Sequence, residues 1–258
     1  MAPERRTVFF APHYDDVALS CGGTVAAIAE QGESPLIVTV FGGLPPGQLN
    51  QFAGEMHRRW GISAGDALAQ RRREERCAAA ALGAEACWLD FPDAIYREDR
   101  YTSDNELFGA IHADELSLVE KLYGAAQRFF TARRFTPDHV YVPLAVGNHV
   151  DHQHVLQLGL KLGADGYDVL AYEDYPYAGD PGGLDLLRQR VTEVDGGHEI
   201  TRFLTEEQLE QRIAAIRCYE SQLPVIFRHQ GDPVESTRRW AMLRGRTRPA
   251  ERFWQLQR

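Results

Sequence analysis

Short apolar runs alternate with longer segments of helical character along most of the chain. The runs at 7–11 (TVFFA) and 35–43 (PLIVTVFGG) show no alternation of apolar and polar positions, which predicts strands that are covered on both faces. Similar runs predict three further strands at 87–91, 139–146 and 168–175. Strands of this kind are expected in a sheet that lies between two layers of helices.

The segments between these strands carry helical patterns. Helices are predicted at 22–31, 66–83, 105–134 (one or two helices) and 150–163, and, beyond the fifth strand, at 205–220 and 234–243. Gly32 and Gly83 stand where a helix would stop. The segment 44–64, rich in glycine, proline and polar residues, is expected to form a long loop or a broken helix, which inside a compact domain is usually functional or mobile.

This alternation predicts the α/β class: a Rossmann-like, doubly wound and mostly parallel sheet with helices on both faces. Right-handed crossovers favour a strand order of about 3-2-1-4-5. One domain is expected over 1–258, with its core at about 7–175 and a less regular C-terminal extension at about 176–258. In this order strands 1 and 4 are neighbours, and ligands bind in the crevice outside their carboxyl ends.

Composition and charge narrow the classes of partner. With 44% hydrophobic and 25% charged residues among 258, the chain has the composition of a soluble globular protein. Its formal net charge of −9 argues against nucleic acid and against an anionic membrane as partners. No apolar segment reaches the length of a membrane span or of a signal peptide, so a cytoplasmic protein is expected. Homo-oligomer formation stays open.

The cysteines give no sign of a structural cluster. Cys21, Cys77, Cys87 and Cys218 lie far apart and form no C-x-x-C motif. This spacing argues against a zinc ribbon and against a disulfide framework. Reduced thiols are therefore expected.

Two stretches rich in histidine and aspartate follow strands 1 and 4. PHYDD (12–16) comes directly after the first strand, and GNHVDHQH (147–154) comes directly after the fourth. Three of the nine histidines of the chain lie in the second stretch. Because the two strands are expected to be neighbours, we expect both stretches at one edge of the sheet.

Together these stretches predict a divalent metal site. His13 and Asp16 are three positions apart on a turn, so they can converge on one cation, and imidazole and carboxylate are ligands that zinc takes. Asp15 lies between them, where a general base could reach the water that the metal activates. His149 and His152 share one face at a helix start, so one could complete the metal shell while the other holds a developing oxyanion.

Taken alone, each stretch is also compatible with a purely structural role. The aspartate pair could be a helix N-cap, and HVDHQH could be a solvated helix start. Asp151 could orient an imidazole from behind, whereas His154 points off the His149/His152 face. A phosphate cradle at CGGT (21–24) is disfavoured, because two aspartates would repel the phosphate and no GxGxxG is present. Its glycines are expected to pack closely at the helix entry.

PHYDD…GGT with a later HVDH resembles the PIG-L/LmbE-like deacetylases, whose usual signature is HPDD…GGT followed by HPDH. The helix RRREERCAAAALG (71–83) is similar to their Arg-x-x-Glu…Ala…Leu-Gly helix. LDFPDA (89–94) and RIAAIRCYESQLP (212–224) also resemble segments of the family, so the likeness covers roughly 7–225. The family implies a Rossmann-like, zinc-dependent hydrolase that is N-acetylglucosaminyl deacetylase-like and acts on a small-molecule amino sugar. Nitrogen and oxygen ligands would also accept Fe²⁺.

The resemblance also implies a role for individual residues. By position in the family pattern, His13, Asp16 and His152 would bind the metal and Asp15 would be the general base. His149 would stabilise the oxyanion or act as the acid, and Asp151 would tune His149. Arg71 and Asp93 would contact the sugar. Proton delivery to the leaving amine could come from Asp15 or from His149.

Three positions depart from the family pattern. Tyr14 replaces the usual proline and Val17 a frequent acidic residue, but neither position is a ligand. Some relatives carry a tyrosine at the position of Gly147 that polarises the substrate carbonyl. That task would fall to His149, to the metal or to another tyrosine such as Tyr14, which is thereby a candidate substrate contact.

The predicted function is hydrolysis of the N-acetyl amide of an amino sugar or related glycoconjugate. Two alternatives remain at this point: another metallohydrolase such as a phosphoesterase, which usually assembles two metals, and a non-catalytic sugar-binding module on the same fold. The substrate rim is expected at 44–64, at Tyr96 and Arg97, and at EDYPYAG (173–179).

Overall fold

The computed structural model of the protein describes residues 4–44, 49–61 and 66–256. Over these residues one sheet has seven strands: β1 (Glu4–Ala11), β2 (Leu36–Thr39), β3 (Glu85–Trp88), β4 (Phe135–Pro143), β5 (Val169–Tyr172), β6 (Glu199–Phe203) and β7 (Ala250–Gln255). The strand order is β3-β2-β1-β4-β5-β7-β6. The first five strands are parallel, and β7 and β6 add two antiparallel strands beside β5. The predicted order 3-2-1-4-5 is therefore confirmed.

Helices cover both faces of this sheet. They are α1 (Asp16–Glu30), α2 (Gln51–Trp60), α3 (Ala67–Ala81), α4 (Asp104–Leu107), α5 (Leu118–Arg133), α6 (Val150–Ala164), α7 (Gly183–Glu193), α8 (Glu206–Arg217), α9 (Leu223–Ile226) and α10 (Pro233–Gly245). The loop expected at 44–64 thus contains α2, while 45–48 and 62–65 lie outside the described residues. Within the described part of the chain, no helix is both long and apolar enough to cross a membrane.

Strand β1 shows why the buried runs lack alternation. Val8 and Phe10 belong to the core cluster that includes residues of α5 and α6. Phe9 and Ala11 belong to the cluster on the opposite face, with residues of α1, α3 and α8. Because both faces of the strand are covered, each of its positions from Val8 onward is apolar.

Helix α1 differs from its predicted bounds. It begins at Asp16 rather than at residue 22, and Cys21 has non-helical dihedral angles that break it in the middle. Gly23 therefore lies just beyond the break and not at the helix entry. A Cβ on Gly23 would lie 2.5 Å from Leu204 Cδ1, so the expected close packing is found about two turns into the helix.

The C-terminal extension is more regular than expected. It contributes α7, β6 and β7, which the hydrophobic pattern did not indicate. Strand β7 carries Glu251, whose carboxylate accepts hydrogen bonds from the backbone N–H groups of Gly23 (2.9 Å) and Thr24 (2.8 Å) and pairs with the buried Arg212. A charged residue inside a strand hides the strand pattern, although its charge is neutralised in the fold.

The expectation that all four thiols are reduced is wrong for two of them. Cys77 in α3 and Cys218 after α8 form a disulfide, with their Cα atoms 5.8 Å apart. The two cysteines are 141 positions apart in sequence, and they meet because α3 packs against α8. Cys21 and Cys87 are free.

Candidate metal centre and cleft

The two histidine- and aspartate-rich stretches meet at the carboxyl ends of β1 and β4. The ring of His13 lies 4.9 Å from that of His149 and 5.5 Å from that of His152, measured between centroids. Parallel pairing of β1 with β4 brings the two stretches together, as the predicted strand order requires.

His13, Asp16 and His152 offer a set of ligand atoms that lie within 4.8 Å of one another. Asp16 is central, because its carboxylate lies 3.6 Å from His13 Nδ1 and 3.4 Å from His152 Nε2. His152 Nε2 is buried and has no hydrogen-bond partner. A buried nitrogen without a partner is costly, and two imidazoles with one carboxylate form the donor set of a catalytic divalent cation. These residues therefore fit a metal ion.

Each of the two imidazoles is held from behind by a carboxylate. His152 Nδ1 lies 2.6 Å from Asp174 Oδ1, and His13 Nε2 lies 3.0 Å from Asp151 Oδ2. Such partners fix the ring orientation and tautomer of a metal ligand. The sequence predicts 173–179 at the substrate rim and does not predict this contact of Asp174. An acidic residue directly after β5, the strand next to β4, could have indicated it.

Carboxylates create a negative electrostatic potential around His13, Asp16 and His152. Burial opposes protonation of His13, but the carboxylates of Asp93, Asp151 and Asp16 raise its pKa to about 9. The potential that stabilises a proton on this ring equally favours a bound cation. The geometry and the electrostatics therefore both favour a cation between His13, Asp16 and His152.

Asp151 is fully buried and orients an imidazole from behind, as expected, although that imidazole belongs to His13 and not to His149. Its carboxylate accepts hydrogen bonds from Arg97 Nη1 (2.6 Å) and Ala94 N (3.0 Å) and contacts His13 rather than His149. Arg97, expected at the rim, is only 7% exposed and contacts Asp151 behind His13. Here Arg97 stabilises the buried charge of Asp151, so both residues support the position of His13.

His149 is the N-cap of α6, and its Nδ1 accepts a hydrogen bond from Asp151 N (3.1 Å). Because Nδ1 is an acceptor, the proton of the neutral ring belongs on Nε2. Burial lowers the pKa of His149 well below its usual value, and His13 adds to this effect. The ring is thus a neutral hydrogen-bond donor that lines the cleft.

Asp15 occupies the N-cap position of α1 but makes no capping hydrogen bond with its side chain. It is 6% exposed, and its carboxylate lies 3.9 Å from Arg71 Nη2. Burial and the neighbouring Asp16 raise its pKa to about 6. A carboxylate with a pKa near neutrality is suited to accept a proton, and no capping role competes for it.

His13, Asp15, Asp16 and His149 line a cleft with a cavity volume of about 180 Å³. Arg71 and Asp93 line it, as the resemblance implies for sugar contacts. Tyr14 lies outside it: its hydroxyl donates to Gly42 O (2.8 Å), and the Arg71 guanidinium lies 5.4 Å from its ring centroid. Tyr14 thus supports Arg71 from below and is not placed to contact the substrate carbonyl.

The remaining rim predictions have mixed outcomes. Tyr177, within the expected rim at 173–179, lines the cleft, as do Met56 and Trp60 of α2. The Tyr96 hydroxyl instead lies 2.6 Å from His57 Nε2, beside the main cleft. The lining of the cleft therefore includes α2 and the loop after β5, together with α4 and the segment around α9.

Two further segments of the family resemblance meet in the structure. Glu74 of α3 accepts hydrogen bonds from the backbone N–H (3.0 Å) and the hydroxyl (2.7 Å) of Ser221. The next residue, Gln222, lines the cleft. This contact fixes the C-terminal segment against α3, the helix that carries Arg71.

The family model that matches this chain and three of the proteins similar to it all represent deacetylases. The model of the PIG-L family, described as GlcNAc-PI de-N-acetylase, matches residues 8–163. The 2'-N-acetylparomamine deacetylase of Niallia circulans is 35% identical over 191 residues, which are 67% of this chain and 68% of that protein. The enzyme of the same name from Streptomyces fradiae is 34% identical over 224 residues, covering 84% and 73%. The zinc-inhibited form of a teicoplanin deacetylase has the same fold, with a TM-score of 0.81, 23% identity and 97% coverage of both chains.

Proposed function

The chain belongs to the PIG-L family of de-N-acetylases, and from this we propose how its cleft hydrolyses the amide of an N-acetylated amino sugar. The reaction class is that of a hydrolase of amide C–N bonds. The observation that carries the proposal is the convergence of His13, Asp16 and His152 beside Asp15, which lines the cleft and makes no capping hydrogen bond with its side chain.

We propose zinc as the metal, with His13, Asp16 and His152 as its ligands and Fe²⁺ as the alternative ion. The unpartnered Nε2 of His152 supports this assignment. A divalent cation bound there supplies Lewis acidity, which polarises a carbonyl group and lowers the pKa of a water molecule. The second group of possible ligands, His13 with His149 and Asp151, shares His13 with the first. The described residues thus offer no independent second site, which disfavours a two-metal phosphoesterase.

The remaining chemistry falls to protein groups. Asp15 accepts the proton of the attacking water, since its pKa of about 6 leaves it largely ionised at neutral pH. His149 donates a hydrogen bond through Nε2–H to the oxyanion of the tetrahedral intermediate. The amine then leaves with a proton from Asp15 or from His149, and acetate is released. A base without turnover would have no purpose, which disfavours a non-catalytic binding module.

The substrate class is proposed from the relatives and from charge. Two relatives are deacetylases of 2'-N-acetylparomamine, an amino sugar that carries several amines. Asp93, Asp104 and Asp180 line the cleft together with Arg59, Arg71 and Arg228, and the chain has a formal net charge of −9. Carboxylates at the wall would pair with the ammonium groups of such a substrate and orient its single acetamide toward Asp15.

The site of action in the cell stays a prediction. A cytoplasmic location was expected, but the disulfide between Cys77 and Cys218 is more typical of oxidising compartments. One domain over 1–258 and a partner set limited to a small-molecule substrate are also kept as proposals. Cell fractionation and mass measurement in solution would test the location and a homo-oligomer, respectively.

Acetate release tests the proposed function directly. The metal-free protein would be reconstituted with Zn²⁺ or Fe²⁺ and given 2'-N-acetylparomamine, with N-acetylglucosamine as a smaller comparison. We expect acetate in stoichiometric yield with the free amine, with about one metal ion per chain. Failure of both reconstituted forms to release acetate from either compound would contradict the proposal.

A further inference from the structure

The loop between β4 and α6 makes room for a tyrosine from another loop. Gly147 has φ +89° and lies two residues before His149. A Cβ on Gly147 would lie 2.8 Å from Cγ of Tyr177, which follows β5. The ring of Tyr177 therefore occupies the space that a side chain at position 147 would enter, and a larger residue there would displace it.

Aromatic contacts hold this ring in one place. It meets the His152 ring edge-on, with centroids 5.7 Å apart and an interplanar angle of 87°. It also packs against the edge of Phe108 at 6.0 Å. The backbone N–H of the next residue, Ala178, donates to the backbone carbonyl oxygen of Asp174 (2.8 Å), the residue whose carboxylate lies behind His152.

Tyr177 lines the cleft. Its hydroxyl oxygen makes no hydrogen bond within the described residues. Five other tyrosine hydroxyls are hydrogen-bonded to protein atoms, namely those of Tyr14, Tyr96, Tyr101, Tyr172 and Tyr219. Within the described residues the buried Tyr175 hydroxyl also has no hydrogen-bond partner, but Tyr175 does not line the cleft. A tyrosine hydroxyl is protonated at neutral pH and can donate one hydrogen bond. Tyr177 thus presents an unused donor beside a metal ligand.

We propose that Tyr177 is a catalytic residue whose hydroxyl donates a hydrogen bond to the carbonyl oxygen of the scissile amide and to the oxyanion that forms from it. The inference rests on the proposed deacetylation and adds a second donor to His149, which lines the same cleft. No proton is transferred from the tyrosine: water adds to the carbonyl carbon, the C–N bond breaks, and the hydrogen bond persists throughout. A donor that is fixed before the reaction stabilises the developing charge most effectively.

The test compares Tyr177→Phe with the wild type and with Tyr167→Phe, which removes a hydroxyl that contacts only Gln127 on the far side of the fold. Turnover of 2'-N-acetylparomamine, metal content and binding of two probes would be measured for each protein. The probes are the N-methylphosphonyl derivative of paromamine, which imitates the tetrahedral oxyanion, and paromamine itself.

We expect Tyr177→Phe to lower kcat by about 100-fold, the scale found for loss of one oxyanion donor, with KM and metal content unchanged. Affinity for the phosphonyl probe should fall in parallel, whereas affinity for paromamine should stay. Tyr167→Phe should match the wild type in every measurement.

Three results would overturn the inference: a kcat near that of the wild type, a rise in KM alone, or a loss of activity that follows a loss of metal. These outcomes require an active wild-type protein, and they leave the proposed deacetylation intact. A wild type that neither releases acetate nor binds the phosphonyl probe would instead refute the proposed function, and the inference with it.

Discussion

Asp174 Oδ1 lies 2.6 Å from His152 Nδ1 and thereby turns the opposite nitrogen of the ring, Nε2, toward Asp16 at 3.4 Å. The pair fixes both the tautomer and the direction of a proposed metal ligand. Asp174→Asn should therefore weaken zinc binding by about 10- to 100-fold, the usual effect of losing such a partner. Competition with a chelator of known affinity would measure the change.

The chain contains a matched control for this substitution. Asp168 forms the same kind of pair with His139 Nδ1 at 2.7 Å, away from the cleft and partly exposed. Asp168→Asn should leave zinc affinity unchanged. Equal affinities for Asp174→Asn and Asp168→Asn would show that the Asp174 contact does not support the metal site.

The role of Asp15 separates catalysis from metal binding. Its carboxylate is buried, lies beside Arg71 and makes no capping hydrogen bond. Asp15→Asn should keep the metal and lower the rate of acetate release by at least about 100-fold, as expected for loss of a general base. Single-turnover kinetics with metal analysis of the same sample would check this. Asp185→Asn, at an exposed ion pair in α7, serves as the control, and similar rates for both variants would exclude Asp15 as the base.

Much of this site could be predicted from the sequence, because its two halves follow buried strands. The apolar runs at 7–11 and 139–146 indicate strands without alternation, and crossover rules make them neighbours. Parallel pairing of β1 with β4 then brings His13 and His152 together. Local pattern and topology suffice here because each cluster begins where its strand ends.

The contacts behind the proposed ligands could not be predicted in this way. Arg97 is charged, which suggests a surface position, but two carboxylates, those of Asp151 and Glu115, neutralise it at 2.6 and 2.8 Å. The disulfide between Cys77 and Cys218 likewise depends on how α3 and α8 pack. Such pairs join distant parts of the sequence, and the hydrophobic periodicity of the sequence does not indicate them.

Strand β7 supports the fold through a buried charge. Glu251 is 3% exposed, lies 3.2 Å from Arg212 Nη1 and accepts two backbone N–H groups at the break in α1. Glu251→Gln should lower the free energy of unfolding by about 3 kcal/mol, because the fully buried Arg212 loses its counter-ion. Urea denaturation would measure it.

The neighbouring strand offers the comparison for that experiment. Glu199 of β6 pairs with Arg252 at 3.0 Å, but its side chain is 37% exposed. Glu199→Gln should cost less than about 1 kcal/mol, since solvent screens such pairs. A similar loss of stability in both variants would contradict a special contribution from the buried pair.

The disulfide predicts a further difference in stability. It closes a long loop between α3 and α8, with 141 residues of sequence separation. Cys77→Ser should reduce the free energy of unfolding by about 2–5 kcal/mol under oxidising conditions, and a reducing agent should abolish the difference. Cys87→Ser, which changes a free thiol, is the control. Identical denaturation curves for the wild type with and without reductant would show that the bond does not form.

The most direct test of the proposed site measures metal content and acetate release for the wild type and His152→Ala in parallel. His152 is 1% exposed and supplies the unpartnered nitrogen of the proposed ligand set. We predict about one zinc ion per wild-type chain, and loss of both the zinc and the acetate release in the variant. Equal metal content and equal activity in the two proteins would contradict the assignment of this site.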